Sequence, residues 1–293
     1  MKNFELISFA TADELAQAVA SAWLDEIAAA NRAGKRHCVA LSGGRIARKF
    51  FASVVEQAKA RKIGDGDIPS LPANVHFFWA DERCVPPDDA ESNFKLANEL
   101  LFLPLKISEN QIHRIHGELP PDKAAELATA EIRRVTLSSP SPPQKEERAG
   151  VRRPIVSNSN PLPPTLSPLG RGEGVDFQPI LDLIFLGMGE DGHVASLFPG
   201  ESDVLISDKA TYRAVKNSPK PPQNRITLGY AAIAAARQVW VLVSGAGKET
   251  ALRESLCSKG RTPLARVAQF RTLTKIFSDF FTDLNAQNYL TNF

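Results

Sequence analysis

A chain of 293 residues, 43% hydrophobic and 23% charged, is long enough for one large α/β domain or two small ones. A formal net charge of +2 is too small to argue for nucleic acid or an anionic membrane as the main partner, and no dense Lys/Arg block marks a docking face. The chain lacks an apolar leader and any run near the ~18 apolar residues of a membrane span, so the expectation is a cytoplasmic protein with its positive field confined to a site.

Thr11 with Glu14 has the spacing of a capping box, and Leu15, Val19, Trp23 and Ile27 recur behind it as the buried face of a first helix. Residues 37–41 read as a strand, Ser42-Gly43-Gly44 as a turn, and a second helix carries Phe50, Phe51, Val54 and Val55. Residues 75–79 form a strong strand bounded by a turn at Asp81-Glu82-Arg83; 92–101 read as a helix, 111–115 as a strand and 122–135 as a helix. Residues 137–175 hold eight of the chain's 21 prolines and no aromatic residue, a composition that cannot offset the entropy of ordering. They are expected to be a disordered insertion where a short connection belongs. Strands follow at 181–186, 211–215, 238–243 and 274–277, with helices after Gly229 and Lys248, and the tail 280–293 reads as a short amphipathic helix or a frayed end. The alternation predicts an α/β fold: a single domain over 1–293 in three layers, an open and mostly parallel sheet with helices on both faces.

The most informative stretch is 187–199, Gly-Met-Gly-Glu-Asp-Gly-His-Val-Ala-Ser-Leu-Phe-Pro, which follows the apolar run 183–186. Gly187, Gly189 and Gly192 permit positive φ and close approach to a ligand, and they leave His193 at the carboxyl end of a strand, where open α/β sheets hold ligands. Four further places could serve that histidine. Ser42-Gly43-Gly44-Arg45 opens a helix whose N–H groups suit a phosphate. Arg83, Arg225 and Lys248 lie at strand ends, where a guanidinium or ammonium can take an anion. Cys38, Cys84 and Cys257 are odd in number and widely spaced, as expected of reduced thiols without chemistry. His113 and His116, on a strand, would face opposite sides of the sheet or straddle its end rather than share a metal.

The combination of Leu41-Ser42-Gly43-Gly44, Trp79-Ala80-Asp81-Glu82-Arg83 with Ser92-Asn93 and Leu96, the whole 187–199 string, and Pro221-Pro222-x-x-Arg225-Ile226-Thr227 resembles the 6-phosphogluconolactonase family. It covers nearly all of the chain except 137–175. The resemblance implies a fold similar to glucosamine-6-phosphate deaminase and ribose-5-phosphate isomerase. It also implies hydrolysis of 6-phosphoglucono-δ-lactone in the pentose phosphate pathway without metal or cofactor. The implied partner is a small sugar phosphate lactone, not nucleic acid or membrane, and the implied state is a monomer or weak homo-oligomer. His193 would be the general base, with either Asp191 or Glu190 orienting its ring. Substrate and phosphate would be held among Ser42, Gly43, Gly44, Arg45, Asp81, Arg83, Asn93, Gly187, Gly189, Arg225 and Lys248. One departure stands out: the family continues Ser-Gly-Gly with Ser or Thr and then Pro, whereas this chain has Arg45-Ile46-Ala47, a cation in place of a hydroxyl. The alternatives are an amino-sugar-phosphate deaminase or sugar-phosphate isomerase, which needs a carboxylate base, and a non-catalytic sugar-phosphate-binding module.

Overall fold

The computed structural model describes residues 3–62, 70–137 and 177–280; most of the proline-rich segment, 138–175, and the tail beyond Phe280 lie outside them. In chain order the elements are β1 (Phe4–Ser8), α1 (Ala12–Arg32), β2 (His37–Leu41), α2 (Arg45–Ala60), β3 (Val75–Trp79), β4 (Asp81–Arg83), α3 (Asn93–Ala97), α4 (Pro121–Leu137), β5 (Leu183–Gly187), α5 (Asp203–Ser207), β6 (Tyr212–Val215), β7 (Arg225–Leu228), α6 (Tyr230–Ala235), β8 (Gln238–Val243), α7 (Glu249–Leu256), α8 (Pro263–Gln269) and β9 (Thr274–Ser278).

Six strands form one sheet in the order β1-β9-β8-β5-β2-β3, every pair parallel. The chain leaves β2 for β3 on one side and leaves β5 for β8 on the other. The crevice beyond the carboxyl ends of β2 and β5 is therefore the topological switch point, the place where such sheets accept ligands. A second sheet, β4-β7-β6, is antiparallel. The fold is thus α/β with a mostly parallel sheet flanked by helices.

Burial decides the first helix more than its cap does. Thr11 Oγ1 accepts the Glu14 N–H (3.1 Å), a bond of about 1 kcal/mol, while the Glu14 carboxylate reaches the N–H of Ala10 instead of closing the box on Thr11. Trp23, fully buried, packs edge-on against Phe77 and Phe185 and tilts on Phe50. Truncating a ring so placed costs about 3–5 kcal/mol. The same aromatic group joins α1 and α2 to β3 and to β5, one of the two strands at the switch point.

Three expectations change. Asp81-Glu82-Arg83 is a strand, not a turn, because its backbone pairs with Thr227, Ile226 and Arg225 and tertiary partners override the turn preference of the acids. Residues 111–115 are not a strand. Gln111 closes a 3₁₀ turn, its side-chain amide donates to the Pro72 and Val75 carbonyls, and only Ile112 bridges to Phe77. His113 and His116 accordingly do not straddle a sheet end. His113 lies between His76 (3.0 Å) and Glu131 (2.7 Å), beside a hollow of about 340 Å³ near the amino end of β3, while His116 meets Glu118 (3.2 Å). Third, Leu137 is the last residue of α4, so the proline-rich segment starts beyond it. Strand β1 and helices α5 and α8 do not show in the sequence pattern, while β7 supplies the strand whose end carries Arg225.

Candidate active site

At the carboxyl end of β5 the backbone folds back on itself: Gly189 N–H donates to the His193 carbonyl (2.9 Å), and Met188 and Leu197 each bridge to Val194. Of the three glycines in the turn only Gly192 takes a positive φ (+76°). Gly189 is required for a different reason, since a Cβ there would fall inside the His193 ring and against Asp191 Oδ1. Gly187 has ordinary room: a Cβ there would lie 3.7 Å from the Gly43 carbonyl oxygen.

The turn presents His193 with 18% of its side chain exposed. Asp191 Oδ1 bonds its Nδ1, and the ring packs on Phe198. Nε2 has no hydrogen-bond partner among the described residues. Burial lowers the imidazole's pKa most strongly; the Asp191 bond and charge oppose this, Lys220 adds to it, Asp81 opposes it, and the net direction is down. The ring is therefore neutral at pH 7, with its free lone pair on Nε2. For Asp191, burial raises the pKa, but its bonds to His193 and Lys220 and their charges outweigh this and bring it down to about 2. Glu190 is not the acid at the ring. Its carboxylate faces Arg45 (3.5 Å), with both side chains largely exposed, and its stem lies against Gly247.

The other motifs form a continuous wall. Ser42 Oγ donates to the Phe185 carbonyl, tying the turn after β2 to β5. Gly43 lies so close to Asn93 that a Cβ would overlap its side chain. Asn93 Nδ2 in turn donates to the Asp81 backbone (2.9 Å) and reaches its carboxylate (3.4 Å). Asp81, 5% exposed, accepts the Ser196 hydroxyl at 2.7 Å. Glu82 is a structural acid. It is pushed up to about 7 by burial despite accepting the N–H groups of Arg83, Asn93 and Phe94, and it caps the start of α3.

The cations divide into two groups. Arg83 and Arg225 face each other across the β4–β7 ladder, an unfavourable like-charge pair softened by Asp81 and Glu91. Arg225 is 5% exposed, and its guanidinium is engaged by the carbonyls of Lys220 (3.1 Å), Pro221 (2.9 Å) and Pro222 (3.0 Å) and by Ser196 (3.4 Å). Arg225 clamps the loop it closes, with four of its five N–H donors engaged and one left for an anion. Arg83 is held by Glu91 through its carbonyl and carboxylate, and its Nε has no hydrogen-bond partner among the described residues. Lys248 and Arg45 form the second group. Gly44 caps α2 without a side-chain bond, and no acid sits in its first turn, so this 16-residue helix offers an open amino end. Lys248 makes no ion pair among the described residues. Burial lowers its pKa, as do the charges of Arg45 and Lys220, with Glu190 and Asp279 opposing.

Two side chains escaped the sequence reading. Ser196 links Asp81 to Arg225, although its place inside the 187–199 string could have signalled it. Lys220 stands 3.2 Å from Asp191 Oδ2 and 3.4 Å from His193 Nδ1. The segment Ser218-Pro219-Lys220-Pro221-Pro222 marks a rigid turn but not what that turn faces. Among the described residues no helix is long and apolar enough to cross a membrane.

Residues 10–275 match the family of glucosamine-6-phosphate isomerases/6-phosphogluconolactonase. A probable chloroplastic 6-phosphogluconolactonase 3 from Oryza sativa subsp. indica is 31% identical over 249 residues, 82% of this chain and 63% of that protein. The chain thus spans about 63% of the length of that curated relative. A 6-phosphogluconolactonase structure from Thermotoga maritima has a TM-score of 0.64 at 26% identity, covering 94% of this chain and 98% of the other. A monomeric glucosamine-6-phosphate deaminase, at 15% identity and a TM-score of 0.67 over 94% of this chain and 97% of its own, shares the fold.

Proposed function

Because the chain belongs to the glucosamine-6-phosphate isomerase/6-phosphogluconolactonase family, we propose that it hydrolyses 6-phosphoglucono-δ-lactone to 6-phosphogluconate. The observation that carries this reading is the geometry at His193: Asp191 meets Nδ1, and Nε2 has no hydrogen-bond partner among the described residues, at the switch point of the sheet; burial favours the neutral ring.

Nε2 takes a proton from water as the water oxygen bonds to the lactone carbonyl carbon. Asp191 stabilises the imidazolium that forms. The tetrahedral intermediate then opens, the ring C–O bond breaks, and the imidazolium returns its proton to the leaving ring oxygen. Backbone N–H groups of the glycine turns are the candidate donors to the transient oxyanion, and Arg83 lies on the same wall for an anionic oxygen. The substrate phosphate is assigned to the open amino end of α2 with Arg45 and Lys248. In this assignment Arg45 supplies as a cation what the family's hydroxyl supplies as a donor. Ser42, Gly43, Asn93 and Asp81 shape the wall between phosphate and base.

A deaminase or isomerase would need a free carboxylate over a sugar carbon. Here Asp81 is bonded to Ser196 and Asn93, and Asp191 to His193 and Lys220, which favours the imidazole as the working base. The test is acid release from freshly prepared lactone, set against ammonia release from glucosamine 6-phosphate. Turnover of the lactone alone is expected; ammonia release without lactone turnover would overturn the reading.

Two variants follow from this assignment. Gly189→Ala should fold, as judged by an unchanged far-UV spectrum, yet lose about 10²-fold in kcat because the added methyl displaces His193 and Asp191. Lys248→Ala should raise KM about 10- to 100-fold, the loss of one charge-assisted contact, with kcat within a few-fold.

A further inference from the structure

The loop between β6 and β7 is more elaborately held than a connection requires. Arg225 binds three successive carbonyls of it, Ser218 Oγ donates to the Lys220 carbonyl (2.9 Å) and accepts the Lys220 N–H (3.3 Å), and Ser218 N–H donates to Gln223 (2.8 Å). What this scaffold delivers is the Lys220 ammonium, placed between Asp191 Oδ2 (3.2 Å) and His193 Nδ1 (3.4 Å).

Two groups thus compete for one ring nitrogen. If Nδ1 were the unprotonated nitrogen it would accept from Lys220, the proton would sit on Nε2, and the ring could not act as a base there. With Nδ1–H donated to Asp191 Oδ1, the ammonium is satisfied by the second carboxylate oxygen and Nε2 keeps its lone pair. The shorter contact is the one to Asp191, so the second arrangement prevails.

We propose that Lys220 is a positioning residue of this site: it holds the second oxygen of Asp191 so that the first faces Nδ1, and its charge opposes the carboxylate's pull on a proton so that His193 rests as the free base. This rests on the lactonase reading for its catalytic meaning, but not for its electrostatics. The charged groups facing His193 are Asp191 from its own turn, Lys220 from the β6–β7 loop and Asp81 from β4, and they act with the signs the proposal needs. Removing Lys220 deletes a repulsion and leaves both carboxylates unopposed. His193 then holds its proton to higher pH.

The experiment pairs an NMR titration of the His193 imidazole with the pH profile of kcat/KM, in the parent, Lys220→Met and Lys220→Arg; the resonance is assigned with His193→Gln. Lys220 is substantially exposed, so both variants should fold. In Lys220→Met the midpoint should rise by about one pH unit and the acid limb of kcat/KM should move with it. The loss would be about tenfold larger below the midpoint than above it. Lys220→Arg should restore the parental midpoint. An unmoved midpoint in Lys220→Met would overturn the proposal even if the parent hydrolyses the lactone. A pH-independent loss confined to KM would also overturn it, marking Lys220 as a substrate contact. A shifted midpoint in a protein that turns over no lactone would support the electrostatic coupling while removing the functional reading.

Discussion

Replacing His193 with alanine is expected to lower kcat on the phosphorylated lactone by about 10² to 10⁴, the range for loss of a general base, with KM within a few-fold of the parent. The spontaneous hydrolysis of the lactone must be subtracted first. The expectation follows from the division of labour in the site. Phosphate binding is assigned to α2, Arg45 and Lys248, none of which bonds the imidazole, so removing the ring should leave ground-state binding largely in place. A near-parental kcat in His193→Ala would place the base elsewhere. A loss confined to KM would make His193 a binding group.

Asp191→Asn should be nearly as damaging, by about 10² to 10⁴ in kcat, for a reason that pH exposes. The amide is nearly isosteric with the carboxylate but can offer N–H to Nδ1, which stabilises the tautomer with its proton on Nε2. It also removes the negative charge that raises the His193 pKa. The imidazolium becomes harder to form, so the acid limb of kcat/KM should move to lower pH while the plateau falls. This is the opposite direction to Lys220→Met, and the pair of shifts discriminates electrostatic tuning from general damage to the turn. Glu190→Gln, by contrast, touches a largely exposed pair with Arg45 and should leave the acid limb and the plateau where they are.

The sequence was most legible where chemistry and backbone geometry share the same few residues. The strand before Gly187, the turn through His193 and the glycines after β2 could be placed without coordinates, since short apolar runs and Gly-rich turns are local signals. Long-range satisfaction could not be read in that way. Asp81-Glu82-Arg83 looks like a turn until Thr227 and Ile226 supply its ladder and Ser196 and Asn93 supply partners for its first carboxylate. The choice between Asp191 and Glu190 was open because both are one or two residues from a flexible glycine. Only the turn's path puts one carboxylate at Nδ1 and the other beside Arg45. Arg225 shows the same limit: a strand-end guanidinium suggests an anion, while the carbonyls of residues 220–222 that engage it come from the loop it closes. Lys220 carried no signal of its own, because its importance lies in which side chains it meets, 27 and 29 residues away in sequence.

The central claim is that the imidazole and the basic group around α2 and Lys248 serve one substrate in one crevice. The most direct measurement compares kcat/KM for freshly made 6-phosphoglucono-δ-lactone and for unphosphorylated glucono-δ-lactone, in the parent and in Lys248→Ala. A preference of about 10²-fold or more for the phosphorylated form, reduced at least tenfold by the variant, is the predicted result. Equal turnover of the two lactones, or a preference untouched by Lys248→Ala, would contradict it.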